Sequence, residues 1–329
     1  MTIFDDYPQL DLTALNEAAK GAYNEGITIE RLYTQTAYLP SLSLKIARID
    51  GALRTAHYKL KETLQSLSIP AAISLQLINR YQTAYNRAPD SSKPGVITRM
   101  ADEVSKILNL ASQAKMSLKQ LSAPLLETVE LDATHRFLVQ LAVEAEQIPL
   151  DIEALNLRKE ALDQERKTLT DALSLIESKG FAQVGKDTIL NAQEVSKLAL
   201  AAPELAMLEQ AIEFAHKVLD QAQDLVNYVS LTNARDVIRR RIGDLLSEIA
   251  SKVEGLRLVR LRQELITATH RFDDHRITYT AEFEKIDAAL SMFLQTHIAA
   301  DLQDDEFRAG LIAQANALII YLNSIVLNR

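Results

Sequence analysis

Apolar residues recur along this chain at alternating spacings of three and four. Met100, Val104, Ile107, Ala111, Ala114, Leu118 and Leu121 form one such seam, running up to Pro124. Ile148, Ile152, Leu155, Leu162, Leu169, Leu173 and Ile176 form a second, with Lys159 and Arg166 at two of its positions. Leu205, Leu208, Ile212, Ala215, Leu219, Ala222, Val226 and Val229 form a third without interruption. Ile238, Ile242, Leu245, Ile249, Val253 and Leu256 carry the spacing on, so one helix is expected from about Glu204 to the region of Asp273. At 1.5 Å per residue that helix would be on the order of 100 Å long. Tyr279, Phe283, Ile286, Leu290, Phe293 and Ile298 resume the pattern, and the acidic run Asp301–Phe307 ends it. Leu311–Leu327 is apolar nearly all round, as in a helix buried within a bundle or, less often, one that meets lipid; at this length burial is expected.

The breaks fall unevenly. All eight prolines lie at or before Pro203 and are expected to divide the first part into segments. Ala88–Gly95 is the clearest loop. No stretch reads as a strand, and no repeat of 20–50 residues is present. The expected fold is all-α: an elongated bundle of long antiparallel coiled-coil-like helices with a hairpin foot. Its expected parts are N-terminal short helices over 1–95, a first long arm over 96–175, an amphipathic hairpin over 176–210, and a long return helix with C-terminal helices over 211–329.

Composition agrees. Hydrophobic residues make up 47% of the 329, enough for a sizeable core, whereas aromatics are 5% and tryptophan is absent. Packing must therefore rest on Leu, Ile, Val and Ala. A formal charge of −8 disfavours nucleic acid as a partner. The local run Arg235, Arg239, Arg240 and Arg241, then Arg257, Arg260 and Arg262, could meet anionic lipid or a partner, but Asp244, Glu248 and Glu264 interleave with it and a solvated face is the better reading. Cysteine is absent, which removes disulfides, thiol nucleophiles and thiolate metal sites. It suits a cytosolic protein and equally a secreted bacterial one. The acidic start, MTIFDDYPQLDL, shows no Sec signal, and no window of eighteen uncharged apolar residues is visible.

Candidate chemistry is sparse. In ESKGFAQVGKDT, Gly180, Gly185 and Lys186 fit a phosphate-binding loop except that Asp187 stands at the hydroxyl position. The residues before it have helical period, with Leu155, Leu162, Leu169 and Ile176 seven apart, rather than the buried strand such a loop requires. Two glycines breaking a pair of helices explain the stretch better. His270 and His275, in HRFDDH with Asp273 and Asp274, stand five apart. A helix would point them about 140° away from each other, so the segment reads as an exposed polar turn rather than a metal site. No nucleophile elbow or catalytic carboxylate pair stands out. No catalytic residue, cofactor site or metal site is assigned, and an enzyme is not expected.

The hairpin remains. After Gly185, only Asp187, Glu194 and Glu204 are acidic between Lys186 and Met207, among many aliphatic residues. Such a helix, ringed by copies of itself, turns its polar face to water and its apolar face to acyl chains. Long antiparallel helices, proline-punctuated short helices at the start, no Cys or Trp, and an amphipathic hairpin at Gly180–Leu208 together resemble one family. It is the B component of the α-xenorhabdolysin-type binary pore-forming toxins, relatives in architecture of the cytolysin A class.

The resemblance implies a non-enzymatic bacterial cytotoxin, secreted without a visible Sec signal. Its partners would be an A component, target-cell membrane lipid, and copies of itself in a hetero-oligomeric ring. Its membrane-insertion foot would comprise Gly180 and Gly185 as bends, Phe181 and Val184 at the turn, and Ile189, Leu190, Leu198, Leu200 and Leu205 on the lipid side. The charges Glu165, Arg166 and Lys167 on the descending arm would have to face water, or the membrane boundary would lie below them. A non-enzymatic coiled-coil scaffold or tether is the other reading of the same seams. Neither reading binds nucleotide at Lys186. ATP is therefore expected to leave the melting temperature unchanged, in the parent and in Lys186→Ala alike.

Overall fold

The computed structural model describes residues 7–179, 189–190, 195, 200–220, 226–296 and 302–327. Within them the chain forms seven α-helices: α1 (Leu12–Thr36), α2 (Pro40–Arg87), α3 (Lys93–Ser122), α4 (Leu131–Lys179), α5 (Ala202–Leu219), α6 (Tyr228–Thr296) and α7 (Asp305–Leu327). A 3-10 turn, Ala123–Leu126, follows α3. Among the described residues the one extended pairing is an isolated bridge between Ile189 and Asn227. The chain divides into two compact units, Met1–Leu138 with Leu261–Arg329, and Val139–Arg260. Helices α4 and α6 contribute to both.

The first unit packs around the seams. Met100, Val104, Ile107, Ala111, Ala114 and Leu118 of α3 are buried, as their spacing predicts. So are Tyr279, Phe283, Ile286, Leu290 and Phe293 of α6. Helix α7 is the one helix among the described residues long and apolar enough to cross a membrane. It instead buries Leu311, Leu318, Leu322 and Ile325 in this core. Arg308 in its first turn is 1% exposed. Its guanidinium donates to the Leu302 carbonyl (2.5 Å) and to Gln82 Oε1 (3.1 Å), and lies 4.3 Å from the Tyr85 ring centre.

Helix α1 starts at Asp11, whose side chain accepts from the Ala14 N–H at 2.9 Å, and it ends at Ala37. Ala37 (φ 47°) and Leu39 (φ 52°) are both left-handed without being glycine, so the turn into Pro40 is held in a costly conformation. The helix approaches its neighbours closely at two glycines. A Cβ at Gly21 would stand 2.5 Å from His275 Nε2, and one at Gly26 would stand 2.8 Å from Asp50 Oδ2. Asp50 is 6% exposed, pairs with Arg54, and leaves Oδ1 without a hydrogen bond. Burial pushes its carboxyl above the ordinary range, against the opposing pull of Arg54.

Three sequence expectations are corrected. The long third helix is not continuous: α5 stops at Leu219, and Asp220 takes a left-handed conformation (φ 51°) whose N–H bonds the His216 carbonyl. Val226 lies outside any helix. Prolines do not all divide segments, since Pro70 lies inside α2 and Pro149 inside α4. Each forgoes one backbone hydrogen bond, a loss that helices of 48 and 49 residues absorb. HRFDDH is no exposed turn. It lies within α6, where Asp273 is 3% exposed and accepts from Arg276 Nε at 2.7 Å. Arg276 also donates to the Leu125 carbonyl at 2.5 Å, and His270 Nε2 lies 2.8 Å from Thr134 Oγ1.

Three outcomes are expected in unfolding experiments. Gly26→Ala should cost about 1–3 kcal/mol through overpacking against Asp50. Gly51→Ala, with open space around its Cβ, should gain about 0.5–1 kcal/mol of helix stability. Because the folded Asp50 carboxyl is raised, the native state holds its proton more tightly than the unfolded chain. Its contribution is thus present below pH 3.8 and lost as pH rises through the raised value. Asp50→Asn should remove that part of the pH dependence.

Candidate membrane-insertion site

The second unit has its own core, built where α4, α5 and α6 meet. Leu169, Ala172, Leu173 and Ile176 come from α4, Leu208, Ala211, Ile212 and Ala215 from α5, and Leu231, Ala234, Ile238 and Ile242 from α6. Leu190 and Val195, from the segment between α4 and α5, join them at 4% and 5% exposure.

Of the predicted foot residues, Ile189, Leu190, Leu200 and Leu205 are described; Gly180, Phe181, Val184, Gly185 and Leu198 lie outside the described residues. Leu190 is buried and Leu200 packs partly buried against the same core, so these two come together. Ile189 and Leu205 do not join them and are 38% and 37% exposed. Ile189 and Leu190 point differently because the backbone there is extended, where successive side chains alternate. The Leu190 N–H donates to the Val226 carbonyl at 2.9 Å.

The ends of the flanking helices are secured locally. Glu204 in the first turn of α5 accepts from the Ala201 N–H at 2.9 Å, a favourable place for a carboxylate beside the helix N-terminus. Asn227 caps α6, its Oδ1 accepting from the Ser230 N–H (2.8 Å) and hydroxyl (3.0 Å). The Tyr228 hydroxyl donates to Glu177 Oε1 at 2.5 Å, tying the start of α6 to the end of α4. That hydrogen bond, with burial and the carboxylate's charge, holds the Tyr228 phenol above its usual range. Asn227 before an aliphatic run was a readable cap signal that the continuous seam concealed.

Above this core an open groove of about 730 Å³ lies between α4 and α6, lined by acids and bases together. Asp163 takes both Lys159 (2.9 Å) and Arg166 (3.1 Å), and Arg235 pairs with Asp236 at 3.3 Å. Arg166 and Lys167 are exposed and Glu165 is half-buried. No group of three metal-ligating side chains capable of holding an ion occurs among the described residues.

The fold is that of a known set of structures. XaxB from Xenorhabdus nematophila superposes with a TM-score of 0.84 at 19% identity, covering 98% of each chain. PaxB from Photorhabdus luminescens gives 0.72 at 20% identity, over 98% of this chain and 97% of that one. The XaxAB pore complex from Xenorhabdus nematophila gives 0.67 at 19% identity, over 98% of each chain. No family model and no curated protein sequence matches the chain. At these identities the likeness establishes the fold, an all-helical architecture shared end to end.

Tyr228→Phe should lower stability by less than about 1 kcal/mol, since the pair faces water in part. The raised phenol implies that the contact is fully present below the ordinary tyrosine range and is lost as pH rises through the folded value. The parent but not the variant should show that alkaline loss in urea unfolding.

Proposed function

We propose that this chain is the B-type subunit of a binary α-helical pore-forming toxin, recruited by an A component and inserting the 176–210 hairpin into a target membrane. The observation that carries this reading is the end-to-end match to XaxB, a protein whose counterpart in the solved XaxAB assembly is described as part of a pore complex. Leu190 and Val195 are buried in a small core of the second unit and Leu200 packs against it, which supports a stowed membrane element. The reading assigns no catalytic chemistry to the chain. It implies export from a bacterium, a soluble state before assembly, and a ring of A and B subunits in lipid.

The proposed foot retains Gly180 and Gly185 as bends, Phe181 and Val184 at the tip, and Ile189, Leu190, Leu198, Leu200 and Leu205 as the lipid side. Leu190 and Leu200 must leave their core to serve there. The bridge between Ile189 and Asn227 is one contact that such a movement breaks.

Liposome dye release tests this. Alone, the chain should release little dye; with an A-type partner it should empty the vesicles. Ile189→Asp with Leu198→Asp places two charges on the lipid side, each costing on the order of 3 kcal/mol at the bilayer centre. That variant should fold and yet lose release. Paired positions in an antiparallel bridge stand about 5 Å apart, within disulfide reach. Ile189→Cys with Asn227→Cys, in a chain with no other cysteine, should therefore block release until a reductant is added. Full release by the Asp variant would overturn the foot assignment, and absence of release with any A-type partner would favour the scaffold reading.

A further inference from the structure

The second unit exposes two apolar stripes on different helices. On α4, Val139, Val143, Leu150 and Leu157 are 54%, 63%, 58% and 63% exposed and stand four, seven and seven residues apart, which places them on one face. They lie on another side of the helix from Leu141, Ile148, Ile152 and Leu155, its less exposed positions. On α6, Leu246 and Val253 are 48% and 52% exposed. Gly243, Ala250, Arg257 and Arg260 continue the same face at three- and four-residue steps, and all are exposed. Exposed aliphatic positions sustained at heptad spacing are a surface for another helix.

The two stripes complement each other in charge. From Val139 to Leu157, α4 carries Glu144, Glu146, Asp151 and Glu153 and no lysine or arginine. From Arg239 to Arg260, α6 carries Arg239, Arg240, Arg241, Lys252, Arg257 and Arg260 against Asp244, Glu248 and Glu254. Inside one chain this attraction is used once, where Lys252 meets Asp151 at 2.7 Å and holds its carboxyl below the usual range. Glu146 and Glu153 stand exposed on the α4 stripe itself.

They complement each other in size as well. Tyr228 on Glu177 and Lys252 on Asp151 together show that α4 and α6 run antiparallel within a chain. Two copies side by side and pointing the same way would bring α4 of one against α6 of the next, again antiparallel. With Val143 opposite Arg257, Leu150 falls opposite Ala250 and Leu157 opposite Gly243, so the large side chains of one stripe meet the small residues of the other. Glu146 then falls between Val253 and Arg257.

We propose that these stripes are the two halves of a contact between neighbouring copies of this chain. It deepens the pore reading and rests on that reading for its setting. The contact joins unlike surfaces, so each copy can receive one neighbour and offer itself to another, as a ring requires. It is small: 18 residues of helix span about 27 Å, and one helix width gives roughly 300 Å² per copy. Stable complexes use about 800 Å² per partner. Copies therefore stay apart in dilute solution and associate when a membrane confines them and raises their effective concentration.

The test needs neither an A component nor lysis, so its failure is distinct from failure of the pore reading. Two full-length single-cysteine variants, Leu150→Cys and Ala250→Cys, are tagged differently and also carry a terminal oligohistidine tag. They are bound together to phosphatidylcholine vesicles containing a nickel-chelating lipid and oxidised mildly. A 150–250 disulfide between chains is expected on the vesicles and not in solution, with little 150–150 or 250–250 product. Adding Glu146→Arg and Glu153→Arg to the Leu150→Cys chain should abolish it while circular dichroism and the melting temperature stay unchanged. The proposal is overturned if the mixed disulfide is absent on vesicles, or if like-with-like products match it. It is equally overturned if the charge reversal leaves the product intact.

Discussion

The first unit depends on one face of α6. Leu265, Ala268, Phe272, Tyr279, Phe283, Ile286, Leu290 and Phe293 are buried along it at steps of three and four, apart from one position that Arg276 fills. Each large side chain there stabilises the fold by about 1.5–3 kcal/mol. Arg276 is tolerated because Asp273 and the Leu125 carbonyl satisfy it; removing the Asp273 carboxylate would strand a buried charge. The rest of the unit is aligned on this helix by contacts far apart in sequence. The Asp11 N–H donates to Glu282, Arg271 to Glu25, and Gly21 lets α1 settle against His275. A protein with few aromatics has thus placed Phe272, Phe283 and Phe293 where one helix must hold several others.

The second unit is held more lightly. Among the described residues its buried core is the smaller of the two, and alanines such as Ala172, Ala211, Ala215 and Ala234 fill part of it, as alanines also do in the first. Polar contacts do part of the work: Asn227 capping α6, Glu204 at the start of α5, and Tyr228 on Glu177. For a segment proposed to move, this is a favourable balance. Opening forfeits modest apolar burial, and the polar groups released find water at once.

Periodicity made the helices legible because it reports which side of a helix is buried. The α3 seam from Met100 to Leu118 and the α6 seam from Tyr279 to Phe293 both follow their spacing. Periodicity is blind to the backbone between matching positions. Ala222, Val226 and Val229 keep the three-four rhythm across a place where Asp220 turns the chain, so one helix was read for two. Charge misled at HRFDDH, since Asp273 and Arg276 are three apart and neutralise each other inside the fold. At the foot, the aliphatic content around Leu190 was visible in sequence. The extended backbone that sends Ile189 outward and Leu190 inward was not, because it depends on a partner strand segment thirty-eight residues away at Asn227.

Helix α7 would satisfy a lipid bilayer on length and composition, and the chain nevertheless commits it to protein. Arg308 makes that commitment specific, since its guanidinium finds the Leu302 carbonyl, Gln82 and the Tyr85 ring in one place. During synthesis α2, α3 and α6 emerge before α7, so the surfaces that receive it exist before it does. The order of elements along the chain therefore decides a contest between docking and membrane capture. A circularly permuted chain that made α7 first would leave the same helix greasy and unclaimed, at the mercy of whatever apolar phase it met.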